Sequence, residues 1–429
     1  MRPPGRNIAT LADRIINTHI PKMAQNNNEI PRFFIDVNRL TAATTQAPVK
    51  RPREFACFSY DKNHNLRLDD SSLKWYYPPQ AHELPANLST GFDKFDKHDN
   101  SQDEHLDSLL TTIAHHEQQT GEAIDAKFVT WRGMMTKLMG APYDEDGFEM
   151  NATIFQDCIF IEENWDFKAT REAEQHGSWK GPISSQQMQF WGYKFETLAT
   201  IPRPWGETSR EEIENRDKEI VNNKEQYCSV VRSELGGKVL CLGGEVDAIW
   251  DYKPKTPGAK IDWVELKTSK VTQSNRDQFN FNRKLMKFWA QSFLLGVPRI
   301  IVGFRDKDGM LLNIEEYSTQ KIDEQVRREH NSGNWAWRPW VCINFASEVL
   351  DCKLFSFRFN LLTEKLTRNS QGIQQTIRAD PQQTGVWRIR LQKRPKAIEL
   401  FKVEETGHGK IVTEEFVNWR TKLAASKQS

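Results

Sequence analysis

The chain has 429 residues, with 59 Lys or Arg against 58 Asp or Glu, a formal net charge of +1. That length can bury a sizeable core in one to three domains, and the charge balance leaves no global field to draw in nucleic acid, so any such contact belongs to a local groove. Charged residues at 27% and aromatics at 11% fit a globular protein, and the best apolar run, 289–304, is broken by Gln291, Pro298 and Arg299, so no membrane span is expected.

No apolar stretch follows the first residues, so no secretory signal is expected. The six cysteines form no C-x-x-C pair and sit largely in apolar strand-like runs, which suits reduced thiols in a cytosolic or nuclear protein. The histidines are scattered, His115-His116 reads as a helix surface pair, and zinc is not expected.

Residues 1–28 are polar and poor in aromatics and are expected to be poorly ordered, apart from a short helix over 11–16. A single domain is expected over 29–429. The basic cluster Val49-Lys50-Arg51-Pro52-Arg53 reads as a solvated loop, or else as a weak nuclear address. Residues 55–58 and 73–77 read as strands, 78–104 as loop, and 105–119 as a helix with Leu106, Leu109, Leu110 and Ile113 at helical spacing. Residues 128–133 read as a strand or an extended entry into a short helix over 134–139. Residues 148–155 and 158–162 form a hairpin. Trp191-Gly192-Tyr193-Lys194-Phe195-Glu196 follows, its glycine suited to close backbone packing. The charged stretch 210–223 is an exposed helix or excursion. Residues 226–235 and 238–252 are strands joined at Gly236-Gly237, a strong hairpin signal.

Within the second of these lies Gly243-Gly244-Glu245-Val246-Asp247-Ala248-Ile249-Trp250, and soon after comes Asp262-Trp263-Val264-Glu265-Leu266-Lys267-Thr268. Both read as buried strands with charge on one side. Residues two apart on a strand share a face, which aligns Glu245 with Asp247 and Glu265 with Lys267. The turn-rich 252–258 suits an antiparallel connection, and pairing the strands gathers three carboxylates and one ammonium. Crowded carboxylates repel in an apolar setting, and a divalent cation resolves the conflict; oxygen-only ligands favour Mg²⁺ or Mn²⁺. The alternative is a solvated strand face with cross-strand ion pairs.

A helix to about residue 295 carries Asn280, Lys284, Lys287 and Gln291 on one face. Gln291 lies in its apolar end, where an amide needs a partner: a site, or a backbone group. Residues 299–304 and 310–317 form a hairpin, 318–328 a helix. Residues 335–345 and 354–361 are mixed, 366–384 polar and mobile, 387–391 and 397–403 strands, and 414–422 a terminal helix. The class is α+β, a mixed two-sheet β core flanked by helices.

Asp247 followed by Glu265-Leu266-Lys267 resembles the Asp…Glu-x-Lys signature of a large nuclease superfamily. Adding Trp131-Arg132-Gly133, Gly192-Tyr193-Lys194-Phe195-Glu196, Gly244-Glu245-Val246-Asp247 and the Gln291 helix before Gly303-Phe304, the series resembles that of the DXO family of RNA 5′-end decapping nucleases, nearest its fungal nuclear member. The resemblance implies hydrolysis at RNA 5′ ends: removal of incomplete or NAD caps, pyrophosphate release from 5′ triphosphates, and for some members 5′→3′ exonuclease action. It implies Asp247 and Glu265 as metal ligands with the Leu266 carbonyl, Glu196 and Glu245 binding directly or through water, and two ions. Lys267 and Gln291 would place water and phosphate, and Arg132 would contact the RNA 5′ phosphates. It also implies a nuclear setting, with the cytoplasm as alternative, and activation of a nuclear 5′→3′ exoribonuclease. Three alternatives stand: a stand-alone decapping exoribonuclease, a mainly non-catalytic nuclease cofactor, and a DNA endonuclease using only Asp247, Glu265 and Lys267.

Overall fold

The structure, a computed structural model, describes residues 32–43, 45–178, 181–329, 336–351, 377, 385–394 and 396–427. The expected N-terminal segment 1–28 with its helix, the stretch 354–361 and all of 366–384 except residue 377 lie outside them.

Among the described residues seventeen strands form two sheets. The larger has ten, in spatial order β1 (Arg32–Phe34), β17 (Lys396–Lys402), β16 (Trp387–Lys393), β7 (Glu149–Phe155), β8 (Cys158–Glu163), β6 (Phe128–Trp131), β11 (Lys238–Glu245), β10 (Gln226–Leu235), β2 (Val49–Tyr60) and β3 (Leu66–Arg67). The smaller has seven: β5 (Ala86–Asn87), β15 (Met310–Ser318), β14 (Arg299–Arg305), β13 (Trp263–Lys270), β12 (Ala248–Ile249), β4 (Trp75–Tyr76) and β9 (Thr200–Ile201). Both are mixed: β6 runs parallel to β8 and β11, and β13 parallel to β14, among antiparallel neighbours. One core cluster joins Leu242 of β11, Trp263 of β13, Val302 of β14 and Trp289 of the helix Asn275–Leu295. The expected α+β class, two mixed sheets flanked by helices, is what the chain adopts.

Local chemistry explains the elements around the seam. The β10–β11 hairpin turns at Gly236 and Gly237, both left-handed at φ +59° and +78°, a conformation that excludes most side chains. The long helix starts where the Ser274 side chain accepts from the Asp277 N–H and stops at Gly296, φ +75°. Gln291 sits in its last turns, as expected.

Four expectations are corrected. Residues 243–250 are not one strand: β11 ends at Glu245 in the large sheet, and after Val246-Asp247 the chain re-enters as β12 in the small one. Glu245 and Asp247 therefore converge because the chain changes sheets there, not because they alternate along one strand. The basic cluster at 49–53 belongs to β2 instead of a loop, and Lys50 pairs at 2.6 Å with Glu234 across on β10. Gly192 lies within the helix Ser185–Ala199, where an added Cβ would meet nothing within 4 Å, so close packing does not explain it. Pro339–Asp351 is a helix within the stretch read as mixed.

Candidate active site

Two strand registers and one helix deliver the site. β12 pairs antiparallel with β13, Ala248 opposite Val264, so Asp247 arrives beside Glu265. There its Oδ2 accepts the Leu266 N–H at 2.5 Å, which fixes the carboxylate against the strand. β11 runs parallel to β6 with Gly243 opposite Trp131, which brings the end of β11 alongside Arg132, the first residue of the helix Arg132–Gly140. The approach is close enough to exclude side chains. A Cβ on Gly243 would lie 2.8 Å from the Trp131 ring, and one on Gly244 3.0 Å from the Arg132 Cβ and 2.9 Å from Leu295. The third contribution is the helix Ser185–Ala199, packed on β13 with Glu196 in its last turn.

Glu265 is the hub. It is 1% exposed. Lys267 Nζ lies 2.6 Å from its Oε1, and Arg132 Nη1 lies 3.3 Å from its Oε2. The same Arg132 nitrogen donates to the Glu245 carbonyl at 3.2 Å. Lys267 also stands 3.9 Å from Asp247 Oδ2. The buried Oε1 of Glu265 is thus met by the Lys267 ammonium alone.

Four carboxylates thus meet two cations, and the titration of the acids reflects the excess. Burial pushes Glu196 well above the usual carboxylate range, with the charges of Asp247 and Glu245 adding to it. Burial likewise raises Glu245, against the pull of Arg132 and Lys267. Burial, together with the charge of Glu265, pushes Asp247 up to about 7. Burial also acts on Glu265, but the Lys267 ammonium and the Arg132 guanidinium outweigh it and hold that carboxyl below its ordinary value. Burial disfavours the Lys267 charge, yet Glu265 and Asp247 hold its pKa above the ordinary range. Low-dielectric surroundings and unbalanced like charges are the common cause.

Arg132, Glu196, Glu245, Asp247, Glu265, Leu266 and Lys267 are therefore brought together. Gln291 lies apart from these contacts, in the wall of an adjoining cavity of about 390 Å³ that Gly133 and Thr136 of the Arg132 helix also line. Sequence reasoning missed that cavity's cations, Lys137, Lys168, Arg171 and Lys287. All four are paired with acids of the cavity: Arg171 with Asp146 at 3.0 Å, Lys287 with Asp144 at 2.9 Å, Lys168 with Glu163 at 3.9 Å, and Lys137 also with Glu163. Lys287 is legible only as part of a helix stripe, and Lys137, Lys168 and Arg171 follow no motif.

The family described as RAI1 like PD-(D/E)XK nuclease matches residues 50–417. The decapping nuclease RAI1 of Neurospora crassa is 55% identical over 376 residues, 87% of this chain and 84% of that one. Among solved structures, Candida albicans Rai1 in complex with pU5-Mn²⁺ superposes with a TM-score of 0.78 at 29% identity, covering 91% of this chain and 99% of that one. Scheffersomyces stipitis Rai1 in complex with (3′-NADP)⁺ and calcium ion superposes with a TM-score of 0.75 at 27% identity, covering 91% and 99%. The motif series read from Trp131 to Phe304, the two-sheet fold and these likenesses agree: the chain belongs to the RAI1-like PD-(D/E)XK nucleases, a family of hydrolases within the DXO group.

Proposed function

We propose that this chain is a divalent-metal-dependent hydrolase of RNA 5′ ends that removes incomplete caps, pyrophosphate from 5′ triphosphates and NAD caps, and that it activates a nuclear 5′→3′ exoribonuclease. The observation that carries the reading is the excess negative charge at the seam: Asp247 and Glu196 are held above the usual range beside a Glu265 that already takes up Lys267 and Arg132. Such a set fits a hard divalent cation, because every donor is oxygen. Asp247 and Glu265 with the Leu266 carbonyl would hold Mg²⁺ or Mn²⁺, with Glu196 and Glu245 joining directly or through water around two ions. Bound there, the metal supplies Lewis-acid activation of water and of the phosphate oxygens.

The chain's own groups do the rest. Lys267 presents an ammonium where charge builds on the phosphate. Arg132 is anchored through one nitrogen to the Glu245 carbonyl and Glu265, which leaves the rest of its fork for a 5′ phosphate. Gln291 orients the phosphate from the cavity wall, and the cavity receives the 5′ group to be released. The Rai1 structures solved with pU5-Mn²⁺ and with (3′-NADP)⁺ support this choice of substrate and cofactor. The nuclear setting rests on the resemblance to the fungal nuclear member.

The test is product analysis with Mn²⁺ on 5′-triphosphate RNA, unmethylated-cap RNA, NAD-capped RNA and duplex DNA. Pyrophosphate from the first and intact cap fragments from the second and third are expected. Mononucleotides released in succession would make it a stand-alone exoribonuclease, and cleavage of duplex DNA alone would overturn the reading.

Lys267→Ala is expected to lower kcat by about 100- to 1,000-fold while leaving Mn²⁺ affinity at least as tight, because it removes a positive charge from beside the acids. Weaker Mn²⁺ binding with normal turnover at saturating metal would contradict that role. Activation should be separable from hydrolysis, since recessed acids and an exposed interface of about 800 Å² per partner cannot easily share one wall. A Glu245→Ala, Asp247→Ala protein should be inert on RNA 5′ ends yet still bind the exoribonuclease and stimulate it on 5′-monophosphate RNA. Failure of the unaltered protein to bind would end the partner reading and leave a decapping enzyme acting alone.

A further inference from the structure

Three side chains outside the acidic seam meet where no sequence motif marks them. His64 lies in the turn between β2 and β3, and His98 and Glu104 lie in the loop before the helix Asp107–Thr120. The Nε2 atoms of both histidines face one oxygen, Glu104 Oε1, at 3.0 and 3.1 Å. The two rings lie over each other with centroids 3.9 Å apart, tilted by 31°. Tyr60 stacks on the other face of His64, 3.9 Å away and nearly parallel.

Two consecutive residues, Asn223 and Lys224, hold the two histidine segments, one through its side chain and one through its carbonyl. Nδ1 of His64 lies 3.0 Å from the Lys224 carbonyl oxygen, and the His98 backbone N–H donates to Asn223 Oδ1 at 2.7 Å. A carbonyl only accepts, so His64 carries its proton on Nδ1. In the neutral ring Nε2 is then a lone pair aimed at a carboxylate oxygen, an acceptor facing an acceptor. His98 can donate to that oxygen from its own Nε2, but His64 cannot do so without a second proton. A cation shared by the three atoms removes the conflict with both rings neutral. An imidazole whose outer nitrogen is fixed by a backbone carbonyl is also the usual arrangement of a metal-binding histidine. The neighbouring His105 lacks this conflict. Its Nδ1 meets Glu162 at 2.9 Å, that hydrogen bond raises its pKa, and the two form an ordinary ion pair.

We propose that His64, His98 and Glu104 form a second metal site, distinct from the acidic seam and selective for Zn²⁺ or a similar borderline ion. Two imidazole nitrogens and one carboxylate oxygen suit zinc, where the oxygen-only seam suits Mg²⁺ or Mn²⁺. Both Nε2 atoms lie 3.0 and 3.1 Å from Glu104 Oε1, separations compatible with bonds of about 2.0–2.2 Å from each to a common ion. The Glu104 side chain is 52% exposed, which leaves a coordination position to water. The ion fastens the β2–β3 turn to the loop before the helix, both anchored on residues 223 and 224.

The experiment separates the two sites by removing the first. Full-length Glu245→Ala, Asp247→Ala protein, stripped with chelator, is titrated with Zn²⁺ by calorimetry and with Co²⁺ by visible spectroscopy. It should take up about one equivalent of Zn²⁺, show Co²⁺ ligand-field bands, and melt at a higher temperature with Zn²⁺. Adding His98→Ala, or separately Glu104→Gln, should weaken Zn²⁺ binding by at least about 100-fold and abolish the bands and the thermal shift. The Glu104 change is at an exposed position, so it tests the site even where His98→Ala fails to fold. No Zn²⁺ uptake by the parent, or uptake unchanged in the Glu104→Gln protein, overturns the proposal and leaves a histidine–carboxylate ion pair.

Discussion

Asp247→Asn should abolish hydrolysis of 5′-triphosphate RNA, a loss of at least about 1,000-fold, without destabilising the metal-free protein at pH 8. Activity is lost because the carboxylate that would bind metal is gone. The fold is kept because the amide oxygen still accepts the Leu266 N–H that Oδ2 accepts at 2.5 Å. The stability argument has a definite sign. Burial and Glu265 raise Asp247 to about 7, above its ordinary carboxylate value. Between those two pH values the folded protein binds a proton that the unfolded chain does not. Its contribution is therefore fully present below the unfolded value and is lost as pH rises through about 7. The amide of the variant cannot titrate, so the melting temperature of the variant minus that of the parent should grow more positive from pH 5 to pH 8. Mn²⁺ should then raise the parent's melting temperature more at pH 8 than at pH 5, since ligands must lose their protons to bind, and should affect the variant little. A difference in melting temperature that stays flat across that range would mean Asp247 ionises normally in the fold.

What could be read in advance follows from which interactions are local. The Glu265-Leu266-Lys267 strand, the glycine turn at 236–237 and the capped helix ending at Gly296 are set by neighbours within a few residues, and each formed where its pattern placed it. The gathering of Arg132 with Glu265 depends on the parallel pairing of β6 with β11, a contact over more than a hundred positions that no spacing encodes. Motif likeness found Arg132, and its bond to buried Glu265 makes it an ion-pair partner within the fold as well. The break at Val246-Asp247 stayed hidden because an apolar run reads the same whether one sheet or two receive it. Gly192 reads like a packing glycine, yet of the motif glycines it is Gly243, Gly244 and Gly303 that meet close neighbours. His64 and Glu104 lie forty residues apart on turns that no periodicity marks.

Glu265→Ala should also abolish hydrolysis, but with the opposite effect on the fold: a loss of about 3–5 kcal/mol of stability in the metal-free protein. The side chain is 1% exposed and is the shared partner of Lys267 at 2.6 Å and Arg132 at 3.3 Å. Its removal leaves two recessed cations facing each other with only the raised carboxylates nearby. The cost is that of uncompensated buried charge, added to a cavity between β13 and the Arg132 helix. Denaturant unfolding of the metal-free protein measures it as a fall in midpoint at unchanged slope. Lys267→Ala in the same background should recover part of the loss, because it removes one of the stranded charges, with a coupling of about 1–3 kcal/mol between the two changes. Strict additivity, or a single-variant loss below about 1 kcal/mol, would show that solvent reaches Glu265 well enough to make its pairing optional. The two acids therefore differ by the side on which their charge is balanced: Glu265 is neutralised by the chain's own cations and so holds the seam together, whereas Asp247 carries the excess that a metal would have to meet.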